Sequence, residues 1–312
     1  MDIQILLALQ QFRDGVGSFL SDFMLKMTFL GETDTVVVIA AIIYWAVHKD
    51  LGTYLLFGWS GNRLLNGLIK LTACVYRPFI RDPRIIPLSN ASGYSFPSGH
   101  AMNAASLFGG AALRRELPSP LHISAWILLA LVSFSRLFVG VHTPQDVLVG
   151  AAVGLLLMWA VGRLLRWVEA HPGKDWLVVC IGLAVIAAAS VYGAVKPYPV
   201  DYGANGKMLV NVAKLPTDIY KRAAWIAGIL IGWILERRFV RFSTEVPVSR
   251  KLTRIAVGML LYYAVTLIAG ELLKDWISGP MGNVCANFLE MFYVVFLFPC
   301  CIRQMEKERT QS

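Results

Sequence analysis

Apolar runs of nearly membrane-crossing length follow one another along this chain, and they limit its fold more than any other feature. The clearest is WLVVCIGLAVIAAASVYGAV at 176–195, and a helix of about 17 to 25 mostly apolar residues is what crosses a bilayer. Comparable stretches fall near 33–48, 51–75, 99–113, 121–141, 145–162, 223–237, 255–273 and 282–302, nine in all with the first. Composition agrees, since 56% of the residues are hydrophobic and only 16% charged, against about 25% charged in a soluble chain. This excludes a water-dissolved enzyme and a disordered chain, and the lack of Gly-X-Y or heptad periodicity excludes a fibre. The expected fold is all-α, a polytopic integral membrane bundle of about nine spans.

Ahead of the first run, residues 2–12 and 18–30 mix apolar and charged positions at helical spacing and read as amphipathic helices lying in the interface. The chain divides into interfacial helices over 1–32, a six-span core over 33–195, and a polar loop with three trailing spans over 196–312. The opening MDIQILLALQQFRDG lacks the basic leader and small-residue cleavage site of a signal peptide, so no removal is expected. Five scattered cysteines form neither a disulfide framework nor a metal-ligand spacing, and read as small buried hydrophobes.

A net charge of +9 would suggest nucleic acid in a soluble protein, but no basic domain stands free of the apolar runs, so no nucleic-acid partner is expected. Alternating crossings instead collect basic residues in short loops on one side, Arg114, Arg115, Arg163, Arg166, Arg237, Arg238, Arg303 and Arg309 among them. The positive-inside rule makes that side cytoplasmic. Segments 70–98, 136–146, 196–222 and 274–281 then face the extracytoplasmic side.

Three of those segments hold the chemistry. In KLTACVYRP, Lys70 offers a point charge and Arg77 a planar fork, a combination suited to a dianionic phosphate. In PSGH, Ser98 stands at a helix N-cap, Gly99 permits close backbone approach, and the free amides of the helix start attract an anion beside His100, a proton donor. In SRLFVGVHTPQD, Arg136 adds a second fork and His142 has Asp146 four residues on. An imidazole with a carboxylate on one nitrogen presents the other as nucleophile or base.

Each residue also has a bland reading. Thr143, Pro144 and Asp146 make a good helix start, PSGH alone is a turn into a helix, and Lys70 or Arg77 alone is an interfacial anchor. The order, spacing and shared side of the three segments favour the site. Asn62, Asn66 and Lys70 recur at four-residue intervals with Arg63 beside them, a stripe that either packs the bundle or lines a wet cavity. Glu271, Lys274 and Asp275 read as an interfacial helix end before a headgroup pocket, Arg81 and Arg84 as solvated loop charge before anion steering, and Trp59, Tyr94 and Phe96 as interfacial aromatics before packing at the site entrance.

Together the three segments match Lys-x6-Arg-Pro, Pro-Ser-Gly-His and Ser-Arg-x5-His-x3-Asp at every position, and over roughly residues 50–160 the chain resembles the type 2 phosphatidic acid phosphatase superfamily. The resemblance implies that His142 attacks phosphorus and carries a phosphohistidine, that Asp146 orients it, and that His100 protonates the leaving oxygen and later activates water. Lys70, Arg77, Ser98, Gly99 and Arg136 would hold the phosphoryl oxygens. It implies no metal and no cofactor, cationic side chains taking the metal's part.

The expected function is a metal-independent membrane phosphatase acting on a lipid phosphate or pyrophosphate at the extracytoplasmic face; the resemblance implies a bacterial plasma membrane, with a lumenal-facing endomembrane protein as the alternative. Its partners would be that substrate and the membrane lipids. The three trailing spans raise a rival, since nine spans with the N-terminus outside is similar to the layout of glucose-6-phosphatase and suggests a sugar phosphate. A lipid phosphotransferase would use the same intermediate. A carrier or channel needs no His142–Asp146 pair beside a second histidine, and no inverted repeat is evident.

Overall fold

The computed structural model describes residues 2–114, 118–203, 206–277 and 279–308. Arg115 and Arg309, counted above in the basic loops, lie outside them. Among the described residues the chain is helical, with loops and one isolated bridge between Tyr202 and Met208. The helices are α1 (Asp2–Val16), α2 (Ser18–Phe29), α3 (Thr33–Ile42), α4 (Lys49–Ala73), α5 (Pro78–Arg81), α6 (Gly99–Ala104), α7 (Gly110–Ala112), α8 (Ser119–Phe138), α9 (Pro144–Ala170), α10 (Asp175–Val195), α11 (Leu215–Leu235), α12 (Val248–Ala264), α13 (Gly270–Trp276), α14 (Pro280–Phe292) and α15 (Phe298–Glu308). Wider π turns follow α3, α6, α11, α12 and α14.

By length and composition, five of these helical stretches can cross a membrane: Ser119–Phe138, Pro144–Ala170, Asp175–Val195, Val248–Trp276 and Pro280–Glu306. A sixth arises if Ser18–Phe29 and Thr33–Val47, bent by 56° at their junction, count together. The nine expected spans are thus more than the structure supports by this measure. Helix α4 is long enough but carries Lys49, Asp50, Asn62, Arg63, Asn66 and Lys70. The stretch from Gly99 to Ala112 is too short for a bilayer, and α11 opens on LPTDIYKR. The second of the two helices expected to lie in the interface, α2, is half of that bent pair.

Contacts divide the chain into two units that interleave in sequence. The first comprises 1–36, 61–161 and 196–215. Its centre is Ala104, Ala105, Leu129 and Val132, with Leu30, Phe108 and Leu155 packed against them. Helix α9 can approach α6 closely because it presents Gly150 and Gly154 there. A Cβ on the former would stand 2.8 Å from the Ser98 carbonyl, and one on the latter 2.6 Å from Ala105 Cβ.

The second unit comprises 37–60, 162–195 and 216–312. A π turn interrupts the regular ladder of a helix and frees carbonyls, and here the turn after α14 accepts from the turn after α3. Trp45 Nε1 donates to Val294 O (2.8 Å) and Tyr44 Oη to Val295 O (3.2 Å). Glu236, fully buried, accepts from Lys49 Nζ (2.7 Å) and the Phe242 amide (3.2 Å). Glu271 and Lys274 pair with each other at this unit's surface (2.7 Å).

Candidate active site

The sequence-expected site residues all fall in the first unit. Helix α9 begins with a reciprocal cap, in which Asp146 Oδ2 accepts from the Thr143 amide (2.8 Å) while Thr143 Oγ1 accepts from the Asp146 amide (3.3 Å). Capping and orienting coincide. The same Oδ2 accepts from Ser95 Oγ (2.6 Å) and lies 3.4 Å from His142 Nδ1. Asp146 therefore holds its own helix start, a loop hydroxyl and the imidazole at once.

On the ring's other side, Arg77 Nη1 lies 2.9 Å from His142 Nε2 and donates also to Val141 O (3.1 Å). Its Nη2 donates to Ser92 O (3.0 Å) and its Nε to Gly93 O (3.3 Å). A guanidinium has only donors, so it assigns Nε2 as acceptor and the proton to Nδ1. That is the tautomer a nitrogen nucleophile needs.

His142 and Asp146 are each 2% exposed. Burial first, and then the Arg77 charge, hold the His142 ring well below the usual 6.5. A depressed histidine stays neutral in the folded protein while the unfolded chain takes up the proton, so stability falls as pH drops below about 6.5. In substrate-free protein with 15N-labelled histidine, the His142 ring nitrogens are expected to show the neutral tautomer at pH 6.5, where an ordinary imidazole is half protonated. A titration midpoint at 6.5 or above would contradict this environment.

Lys70, Arg136 and His100 also lie within electrostatic reach of the ring, each opposing a proton on it. Lys70 Nζ donates to the Tyr94 and Ser95 carbonyls, the latter at 3.0 Å. The polar stripe of α4 packs the bundle. Asn62 Nδ2 donates to Ser106 Oγ (2.7 Å) and Gly154 O (3.3 Å), and Asn66 Nδ2 to Pro97 O (3.0 Å). Ser98 caps α6 as expected, its hydroxyl accepting from the Ala101 amide (3.4 Å). At Gly99 a Cβ would meet Arg63 Nη1 and Asn66 Oδ1 at 3.5 Å, an ordinary contact.

Arg136 Nη1 donates to Thr28 Oγ1 (3.2 Å), and its Nε is buried without a partner. Thr28 can then donate to Ser135 Oγ (2.8 Å), which donates to Val132 O (2.7 Å). His100 Nε2 stands 3.1 Å from Glu32 Oε1. Sequence reasoning missed Thr28, Glu32 and Ser95. The one available signal was a Gly-Glu pair, Gly31-Glu32, between two apolar stretches. Trp59 and Tyr94, read as interfacial aromatics, are buried, and Arg84 pairs with Asp82 (2.7 Å) in an exposed loop.

Beside this cluster, α8 and α9 enclose an open apolar groove of about 420 Å³, lined by Trp126, Leu129, Ala130, Ser133, Phe134, Leu137, Pro144, Val147, Leu148 and Ala151. Its site end is formed by Leu137 and Pro144, neighbours of Arg136 and His142. Along α8 it extends for about 16 Å at the helical rise.

The model of the PAP2 superfamily matches residues 51–170, and that of the PAP2 superfamily phosphatase transmembrane extension matches 220–310. Phosphatidylglycerophosphatase B of Bacillus subtilis is 34% identical over 155 residues, covering 46% of this chain and 74% of that protein. Lipid phosphate phosphatase delta of Arabidopsis thaliana is 21% identical over 307 residues, covering 90% and 68%. A crystal structure of a transmembrane PAP2 type phosphatidylglycerolphosphate phosphatase from Bacillus subtilis matches at 29% identity and a TM-score of 0.45, covering 54% of this chain and 87% of that one.

Proposed function

The chain belongs to the PAP2 superfamily of metal-independent phosphoric monoester hydrolases, and we propose that it removes phosphate from a lipid phosphate or pyrophosphate through a phosphohistidine at the extracytoplasmic face. The observation that carries this reading is the His142 ring, with Nδ1 on Asp146 and Ser95 and Nε2 turned as an acceptor among Arg77, Lys70 and Arg136. In the first step the Nε2 lone pair attacks phosphorus and the bond to the leaving oxygen breaks, that oxygen taking a proton from His100. In the second, His100 removes a proton from water, the new hydroxyl attacks phosphorus, and the bond to Nε2 breaks to release phosphate.

The three cations, with Ser98 and the Gly99 amide, stabilise the phosphoryl oxygens in both transition states. Arg163 and Arg166, near the end of α9 opposite to His142, support an outward-facing site in a plasma membrane. The core over 33–195 would do the chemistry, and the trailing segment 196–312 would serve as its membrane extension.

The groove between α8 and α9 favours a lipid over a sugar phosphate, because a ligand site of this volume lined by apolar side chains suits a hydrocarbon tail. Purified protein in detergent with chelator present is expected to release phosphate from long-chain lipid phosphates far faster than from glucose 6-phosphate. Filling the groove by Ala130→Trp is expected to raise KM for a long-chain substrate about tenfold, the worth of a little over 1 kcal/mol of lost apolar contact, and to leave a short-chain phosphate nearly unaffected. Preference for the sugar phosphate, or equal effects on both chain lengths, would overturn the lipid reading. Release only when a second lipid is supplied as acceptor would indicate a phosphotransferase.

A further inference from the structure

The signature supplies His142 with a carboxylate but gives His100 none, and the structure provides one from a distant part of the chain. The bend between α2 and α3 lies directly on His100. At Gly31 a Cβ would stand 2.7 Å from Val132 Cγ1 and 3.1 Å from His100 Cδ2, so glycine there allows the close approach. Asn103 Nδ2 fixes the Gly31 carbonyl (2.8 Å), and Thr28 ties the preceding turn to Arg136. The Glu32 carbonyl accepts from the Val36 amide (3.2 Å) at the start of α3. These anchors set Glu32 Oε1 3.1 Å from His100 Nε2, with the Glu32 side chain half exposed.

The two histidines are thus held in opposite senses. His142 meets its carboxylate through Nδ1 and keeps Nε2 for phosphorus, whereas His100 meets Glu32 through Nε2. Around His100 stand Arg136 of α8 and Arg63 of α4, which both oppose a proton on its ring, and His142 ahead of α9. Glu32 supplies the compensating negative charge from the bend.

We propose that Glu32 is the positioning residue of the proton-transfer histidine, accepting the Nε2–H of His100, stabilising its imidazolium and leaving Nδ1 to deliver the proton. In the first step the Nδ1 proton moves to the leaving oxygen as its bond to phosphorus breaks, and His100 becomes neutral with Nε2–H still on Glu32. In the second step Nδ1 takes a proton from the attacking water and the imidazolium is restored. This rests on the phosphohistidine reading above.

The test compares the purified full chain with Glu32→Gln, which keeps the shape and loses the charge, and with Glu32→Asp, which restores the charge. An alkyl phosphate needs its leaving oxygen protonated, and p-nitrophenyl phosphate hardly does. For Glu32→Gln, kcat/KM on the alkyl phosphate is expected to fall about 100-fold, the lower end of general-acid contributions, with a markedly smaller loss on p-nitrophenyl phosphate. The alkaline limb of the alkyl phosphate profile is expected about one unit lower, since loss of an adjacent opposite charge disfavours the imidazolium. Glu32→Asp is expected to recover part of both effects. Equal losses on the two substrates with an unmoved limb, in protein of unchanged melting temperature, would assign Glu32 a purely structural role and overturn the proposal. If Glu32→Gln does not fold, the same comparison on Glu32→Asp decides, a leaving-group-independent loss again overturning it. Absence of a phosphohistidine in rapidly quenched parent protein would instead remove the mechanism beneath it, and the proposal with it.

Discussion

His142→Ala is expected to lower turnover of a lipid phosphate by at least about 10⁴-fold, because it deletes the atom to which phosphorus bonds. The loss should fall on kcat far more than on KM, since Arg77, Lys70 and Arg136 remain to bind the dianion. The variant should also fold. Asp146 Oδ2 keeps its bonds from Ser95 (2.6 Å) and the Thr143 amide (2.8 Å), so the carboxylate is not orphaned. Arg77 keeps the carbonyls of Val141, Ser92 and Gly93. Phosphate release and melting temperature, measured on the same detergent-purified sample, check both halves. Activity within about 100-fold of the parent from folded protein would refute a nucleophilic His142, a smaller cost than truncating an essential nucleophile brings.

Arg77→Lys is the second large effect, with kcat expected to fall about 10²–10³-fold although the charge is kept. The planar fork is what matters. One guanidinium reaches Val141 O, Ser92 O, Gly93 O and His142 Nε2, and a lysine ammonium on a flexible stem cannot span that set. The substitution removes a fixed donor from the phosphoryl oxygens and loosens the loop at 92–93, so kcat and melting temperature should fall together. A lysine variant with parental kcat would mean that Arg77 contributes charge alone.

Much of this site was legible because its chemistry is local in sequence. Lys70 and Arg77 flank the end of α4, Ser98 to His100 open α6, and His142 to Asp146 lead into α9, so within each segment the spacing alone brings the groups close. The capping and orienting readings of Asp146 are not rivals, since the carboxylate oxygen that accepts from the Thr143 amide also lies 3.4 Å from His142 Nδ1. Glu32, Thr28 and Ser95 were not legible in the same way, since they meet their partners across 68, 108 and 51 residues. Those contacts depend on the 56° bend between α2 and α3 and on the path of the loop before α6. Hydropathy counts nine spans, where the length and composition of the described helices support five or six. A short apolar helix packed inside protein and one facing lipid have the same composition, and α4 carries a polar stripe that only its partners Ser106, Gly154 and Pro97 explain.

The interleaving of the two units bears on the order in which the chain is made. The first unit closes once residue 215 has been synthesised, with every proposed catalytic group already present. Segment 37–60 is made early but belongs with residues 216–312. The indole N–H of Trp45 and its acceptor Val294 are 249 residues apart, which at a ribosome adding about 5–20 residues each second is a wait of tens of seconds at the slower rate. During that interval a donor destined for a buried bond has no lasting partner, and in hydrocarbon such a group costs several kcal/mol. The residues most exposed to misassembly during insertion therefore belong to the unit that holds none of the proposed catalytic groups, and a fault there would reduce the yield of enzyme while leaving the turnover of each correctly assembled molecule intact.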